Sequence, residues 1–437
     1  MKDCDLLINC GWVLTVDAEN TVLSDHAIVV VDGRITAILP NESASKTYRP
    51  QTLVDRSQHI VAPGLINTHT HLAMNLLRGY ADDLPLMTWL QEKIWPLEQQ
   101  HVGPDFVGAG TRLALAESIR AGVTCVNDMY FFAERTADEL TRAGMRGRVG
   151  MLVLDFETAW AKDAASYIQR GLEMHDSLRN NERVATCFAP HAPYTVSRKP
   201  LERIQVLSTE LDLPVHMHIH ETAAEVQEFE AKHGLRPLAM LHDMGMLGPA
   251  LIAVHMTQLS SPEQELVALH GVHVAHCPES NMKLASGCTP VAALQDAGCN
   301  VAIGTDGAAS NNDLDLLAEV RTASLMAKMA STDAAACNAQ QSLRMATING
   351  ARALGIDNLT GSLEPGKAAD IICVETQSPE MQPLYEPVSQ LIYAAGRESV
   401  TDVWVDGKPL MQQRQLLTVD LAQTLSDAKQ WAAKLAG

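Results

Sequence analysis

The chain has 437 residues, 46% of them apolar and only 4% aromatic, and a formal net charge of −19. So acidic a chain argues against nucleic acid or an anionic membrane as a partner. Nine cysteines, an odd number with no CxxC pair, argue against a disulfide framework and for reduced thiols in the cytoplasm. The start, Met1-Lys2-Asp3-Cys4-Asp5, lacks the basic and apolar character of a signal peptide, and no apolar run of about 18 residues predicts a membrane span.

Residues 5–60 read as short strands (6–14, 27–31, 34–39 and 53–55), with Asp32-Gly33 as a hairpin signal. From residue 61 apolar runs alternate with helical stretches. The predicted strands are 60–67, 123–128, 148–154, 184–190, 214–219, 251–255, 272–276 and 300–304. Between them lie helices over 106–120, 134–143, 162–175, 199–211, 223–232, 262–269 and 290–297. Eight such units, with no Gly-rich phosphate loop after the first, favour a closed (β/α)₈ barrel over an open doubly wound sheet. Helices over 314–330 and 339–353 follow. Strands at 371–374 and 400–405 then return to the N-terminal piece, and a last amphipathic helix covers 421–436. The expected organisation is a small discontinuous β-sandwich from residues 1–60 and 361–437, with the barrel, 61–360, inserted.

Barrels of this kind carry their active sites at the carboxyl ends of the strands. Five of the predicted strand ends carry the candidate His, Asp or Glu: His69 and His71, His191, the 216–221 segment, His255 and Asp306. Residues two apart on a strand face the same side, so His69 and His71 present two imidazoles together. A catalytic zinc takes a few nitrogen or oxygen ligands and keeps one position for water. His69, His71, one histidine of the fifth strand and Asp306 would meet that need. His216, His218 and His220 alternate on that strand. His216 lies deepest and reads as a packed or hydrogen-bonded core residue, and His220 as a loop residue. His218, three residues before Glu221, suits a ligand beside a proton-transferring carboxylate. Plainer readings exist for each neighbour: Glu221 as a helix-start carboxylate, His255 as a satisfied core histidine, Asp306 as turn chemistry before Gly307.

Further motifs extend the pattern. Leu-Leu-Arg-Gly-Tyr-Ala-Asp-Asp-Leu spans 76–84, Trp89 precedes Ile-Trp-Pro-Leu-Glu at 94–98, and Pro-His-Ala-Pro-Tyr spans 190–194. His-Ile-His-Glu-Thr spans 218–222, Ser-Asn-Met-Lys-Leu 280–284, Gly-Thr-Asp-Gly-Ala-Ala-Ser-Asn-Asn 304–312, and Gly-Ser-Leu-Glu-Pro-Gly-Lys-Ala-Ala-Asp 361–370. With Pro-Gly-Leu-Ile-Asn-Thr-His-Thr-His at 63–71 and Val-His-Met at 254–256, the sequence resembles the amidohydrolase superfamily in its adenosine-type deaminase and chlorohydrolase branch. Within that branch it looks most like the 5-methylthioadenosine/S-adenosylhomocysteine deaminases.

The resemblance implies one zinc ion per subunit, held by His69, His71, His218 and Asp306. Relatives with two metals carry a bridging lysine on strand four, and residues 184–190 contain none. It also implies hydrolytic deamination at carbon 6 of an adenine nucleoside. Asp306 would take the water's proton, Glu221 would protonate ring nitrogen 1, and His255 would polarise the attacking oxygen. Glu98 would meet the ribose hydroxyls, Trp89 and His191 would line the pocket, and Ser310 would stand near the base. Relatives acting well on S-adenosylhomocysteine carry two arginines beyond strand three, whereas residues 151–160 have none. Methylthioadenosine is therefore the expected substrate, with adenosine or S-adenosylhomocysteine secondary. Guanine deamination, triazine dechlorination and a barrel scaffold without chemistry are the rivals. Since barrels of this family often pair, a homo-oligomer is also expected.

Overall fold

The apolar runs become eight parallel strands: Leu65–Thr70, Val123–Asp128, Arg146–Val153, Val184–Pro190, Val215–Ile219, Leu251–His255, His273–His276 and Val301–Ile303. In this computed structural model, which describes residues 1–436, each strand hydrogen-bonds to the next in chain order. Every residue of the first, second and fifth strands is buried, as expected for strands covered on both faces.

Side chains help close the barrel between the eighth strand and the first. Asn67 Nδ2 donates to Thr305 Oγ1 at 2.8 Å and Thr68 Oγ1 to the Ile303 carbonyl at 2.8 Å. The Thr305 and Asp306 N–H groups both donate to the His69 carbonyl, at 3.1 and 3.0 Å. Gly304 permits the approach, because a Cβ there would lie 2.8 Å from the His69 Cβ.

The predicted strand over 60–67 does not form as one element. Residues 60–63 end a long strand, Tyr48–Pro63, that belongs to the other sheet, and the barrel strand begins at Leu65. Gly64 makes the transfer: a Cβ there would fall 2.1 Å from Thr124 Oγ1, so a larger residue could not pass. The predicted helix over 339–353 is likewise two, Ala339–Met345 and Ile348–Ala353, broken at Thr347, whose φ and ψ of −132° and −98° are not helical.

The other sheet draws nine strands from both ends of the chain. Tyr48–Pro63 pairs parallel with Lys2–Leu14 and antiparallel with Ile371–Glu375. The sheet curls on itself, since Ile35 N–H donates to the Lys367 carbonyl at 2.9 Å and Leu6, Ile8 and Val30 share one core with Ile371, Cys373 and Trp404. A buried ion network fastens it to the barrel. Arg146, on the third barrel strand, contacts Asp370 at 2.9 Å and Asp406 at 2.7 Å, and Arg183 contacts Asp406 at 2.7 Å. Among the described residues, no helix is long and apolar enough to cross a membrane.

Candidate active site

Strand ends bring His69, His71, His218 and Asp306 together, with their ligand-capable atoms all within 4.8 Å of one another. The Nε2 atoms of His69 and His71 lie 3.3 and 3.2 Å from Asp306 Oδ1, and His218 Nε2 lies 3.1 Å from His69 Nε2. The opposite ring nitrogens are held from behind. His71 Nδ1 meets the Met129 carbonyl at 2.5 Å, His218 Nδ1 the His191 carbonyl at 2.8 Å, and His69 Nδ1 the Nε2 of His216 at 2.8 Å. Fixing the far nitrogen is how proteins orient a ligating imidazole. Three Nε2 atoms and one carboxylate oxygen converging on one point fit a metal ion with an open position.

Asp306 is fastened by its second oxygen. Oδ2 accepts from Ser280 Oγ at 2.6 Å and Ser310 Oγ at 3.0 Å, while Gly307 N–H donates to Oδ1 at 2.8 Å. Burial works to raise this carboxyl, but His69 and His71 outweigh it and hold it well below the usual carboxylate range. Beside the cluster, His255 Nε2 lies 3.7 Å from Glu221 Oε2, and His255 Nδ1 lies 2.8 Å from Asn281 Oδ1. Burial raises the Glu221 carboxyl, with His255 opposing. His255 and Asp306 have φ of 72° and 61°, in the left-handed region. Such backbone costs about 1–3 kcal/mol per residue and gathers at functional sites.

These groups share a cavity of about 330 Å³, within the range of small-molecule sites. Its apolar wall includes Leu86, Trp89, Trp95, Phe131, Leu154 and Phe156, and Glu98, Tyr130 and His191 also line it. Trp89 and Glu98 come from one helical run, Leu86–Trp89, Leu90–Ile94 and Trp95–His101, whose middle piece has π-helical spacing. Tyr130 Oη donates to Glu98 Oε1 at 2.6 Å. Burial pushes the Glu98 carboxyl up to about 7 against that bond, and pushes the His191 imidazole down to about 3.

An amidohydrolase-family model matches residues 60–410. The chain belongs to the amidohydrolase family. Among curated amidohydrolases it is 45% identical over 431 residues to the 5-methylthioadenosine/S-adenosylhomocysteine deaminase of Teredinibacter turnerae, covering 99% of this chain and 98% of that one. It is 37% identical over 434 residues to the 5'-deoxyadenosine deaminase of Methanococcoides burtonii, at 99% and 98% coverage. Among solved structures, an adenosine deaminase from Xanthomonas campestris with bound zinc aligns at TM-score 0.98 and 51% identity, over 100% of this chain and 99% of that one. An atrazine chlorohydrolase from Arthrobacter aurescens, complexed with zinc, shares the fold alone, at TM-score 0.91 and 24% identity over 98% and 100% of the two chains.

Every residue singled out in the sequence lines this amidohydrolase cavity except His69, His216 and His220, which lie beneath or behind it. His220 is buried and turned away, its Nε2 accepting from the Leu238 N–H at 3.2 Å. Ser310 lines the cavity and also secures Asp306. Sequence reasoning missed Tyr130, Ser280 and Asn281. Ser280 and Asn281 stood inside a quoted motif, and Tyr130 follows the second strand by two residues, so their signal was position at a strand end.

Proposed function

We propose that the protein is a zinc-dependent deaminase of adenine nucleosides that converts 5'-methylthioadenosine to 5'-methylthioinosine and ammonia. The observation that carries this reading is Glu221, a buried carboxyl with raised proton affinity, beside both His255 and the four-residue cluster on one cavity floor. The full-length relatives named as deaminases support it.

His69, His71, His218 and Asp306 would hold the ion. When bound, zinc supplies Lewis acidity that lowers the pKa of a water from 15.7 to about 7. Asp306, kept ionised, takes one proton of the attacking water and passes it to the amino group at carbon 6, which leaves as ammonia when its bond to that carbon breaks. Glu221, whose proton affinity burial raises, delivers a proton to ring nitrogen 1, which makes carbon 6 electrophilic, and is reprotonated by the hydroxyl of the adduct. Each such transfer contributes about 10²–10⁴-fold. His255 stands beside Glu221 and polarises the attacking oxygen, while its Nδ1 is held by Asn281 Oδ1 at 2.8 Å. Glu98 accepts the ribose hydroxyls, and Trp89 and His191 enclose the nucleoside. The nine unpaired cysteines suit a cytoplasmic enzyme.

The charges around the cavity support methylthioadenosine over S-adenosylhomocysteine. Glu98, Glu157, Glu221 and Asp306 line it, with no lysine or arginine among the described residues there. An amino-acid carboxylate would meet like charge, whereas a methylthio group would rest on Leu154 and Phe156. The test is ammonia release by zinc-loaded protein from methylthioadenosine, adenosine, S-adenosylhomocysteine and guanine, compared by kcat/KM. Methylthioadenosine should lead S-adenosylhomocysteine by about tenfold or more, equivalent to about 1.4 kcal/mol. Equal rates would overturn the substrate choice. Activity on guanine alone would overturn the adenine reading.

A further inference from the structure

One member of the cluster leans on a side chain where the other histidines lean on backbone. His71 and His218 meet carbonyl oxygens, which only accept. His69 Nδ1 instead meets His216 Nε2 at 2.8 Å, with both rings fully buried and their planes 76° apart. An imidazole nitrogen can be donor or acceptor, so this contact has a direction to be settled.

The direction follows from the cluster. His69 turns Nε2 toward Asp306 and His218, and a nitrogen that holds a metal ion must present its lone pair. The single proton of neutral His69 is therefore on Nδ1, where it donates to His216. His216 must accept at Nε2 and carry its own proton on Nδ1, an atom with no partner among the described residues. The opposite tautomer of His216 would set two N–H groups against each other inside the barrel. We infer that His216 is a positioning residue for the metal centre, its Nε2 lone pair fixing the tautomer and ring angle of His69. This rests on the cluster being a metal site and is independent of the substrate.

Two variants separate acceptor from filler. In His216→Gln the amide oxygen reaches the place of Nε2, whereas His216→Met fills similar length without a strong acceptor. The zinc dissociation constant of each is measured by competition with a chromophoric chelator, and thermal unfolding of the metal-free proteins checks the fold. Loss of such an outer partner weakens metal binding by about 10–100-fold, the result expected for His216→Met, while His216→Gln should stay within about threefold of the wild type. Wild-type affinity in His216→Met, or equal weakening in both variants, overturns the inference. If His216→Met does not fold, His216→Asn replaces it, since its shorter amide stops short of His69. A wild-type protein that takes up no zinc overturns the cluster reading and the inference with it.

Discussion

Tyr130→Phe removes one hydroxyl and leaves the aromatic ring that lines the cavity. That hydroxyl donates to Glu98 Oε1 at 2.6 Å, and a hydrogen bond to a charged group contributes about 1.5–3 kcal/mol. Burial has already pushed the Glu98 carboxyl up to about 7, and Tyr130 opposes it first, with His71 behind. Without the donor the carboxyl titrates higher still, so more of it is protonated at neutral pH. A protonated carboxyl is the poorer acceptor of two ribose hydroxyls. For methylthioadenosine, kcat/KM should fall by about 10–150-fold near neutral pH, at about 1.4 kcal/mol per tenfold. The assay is kcat/KM from about pH 6 to 9 for methylthioadenosine and 2',3'-dideoxyadenosine, because this parameter reports the free enzyme's titrating groups. The acid limb for methylthioadenosine should move to higher pH in the variant. Dideoxyadenosine, with no hydroxyls for Glu98, should lose little. An equal loss on both substrates, or an unmoved limb, would refute the role given to Glu98.

Other consequences concern specificity and stability. Glu157 is exposed at the cavity lip, and exposed ion pairs contribute up to about 1 kcal/mol. Glu157→Arg both removes a like charge and adds an opposite one, so kcat/KM for S-adenosylhomocysteine relative to methylthioadenosine should rise about 5–30-fold, and an unchanged ratio would count against a charge-selected cavity. Arg146→Met leaves the fully buried Asp370 unpaired, which should cost about 3–5 kcal/mol in urea unfolding. A change below about 1 kcal/mol would mean the network contributes nothing net. The Asp402 carboxyl tends to be raised by burial, yet Arg56 at 2.7 Å holds it below its ordinary value. Its contribution is therefore full above the unfolded value of about 3.9 and fades as pH falls through the lower folded one. The stability gap between wild type and Asp402→Asn should be flat above about pH 5 and shrink in acid, as read by thermal unfolding across pH.

The barrel strands were legible because fully buried parallel strands are short apolar runs, and their polar ends fall where chemistry sits. The run before His69 misled for the same reason: residues 60–63 and 65–67 are equally apolar, and only the tight passage of Gly64 past Thr124 divides them between two sheets. His216 was rightly read as a hydrogen-bonded interior residue, but its partner, His69, lies 147 residues away. No spacing rule reaches that far. Tyr130 and Ser280 were hidden likewise, since each acts on a residue carried by another element, Glu98 on a helix and Asp306 beyond the eighth strand. What escapes a single sequence here is which groups support the ones that do the chemistry.

The seam between the eighth strand and the first also bears on the order in which this protein can be made. Asn67 and Thr305, which close it, are 238 residues apart, and the same junction sets Asp306 against His69. A nascent chain emerging from the ribosome carries His69, His71 and His218 long before Asp306. Contacts this distant are late in folding, because the intervening chain must be ordered first. Capture of an ion by the full set would therefore wait for the last strand to dock, and an immature chain would be spared holding metal in a half-built site.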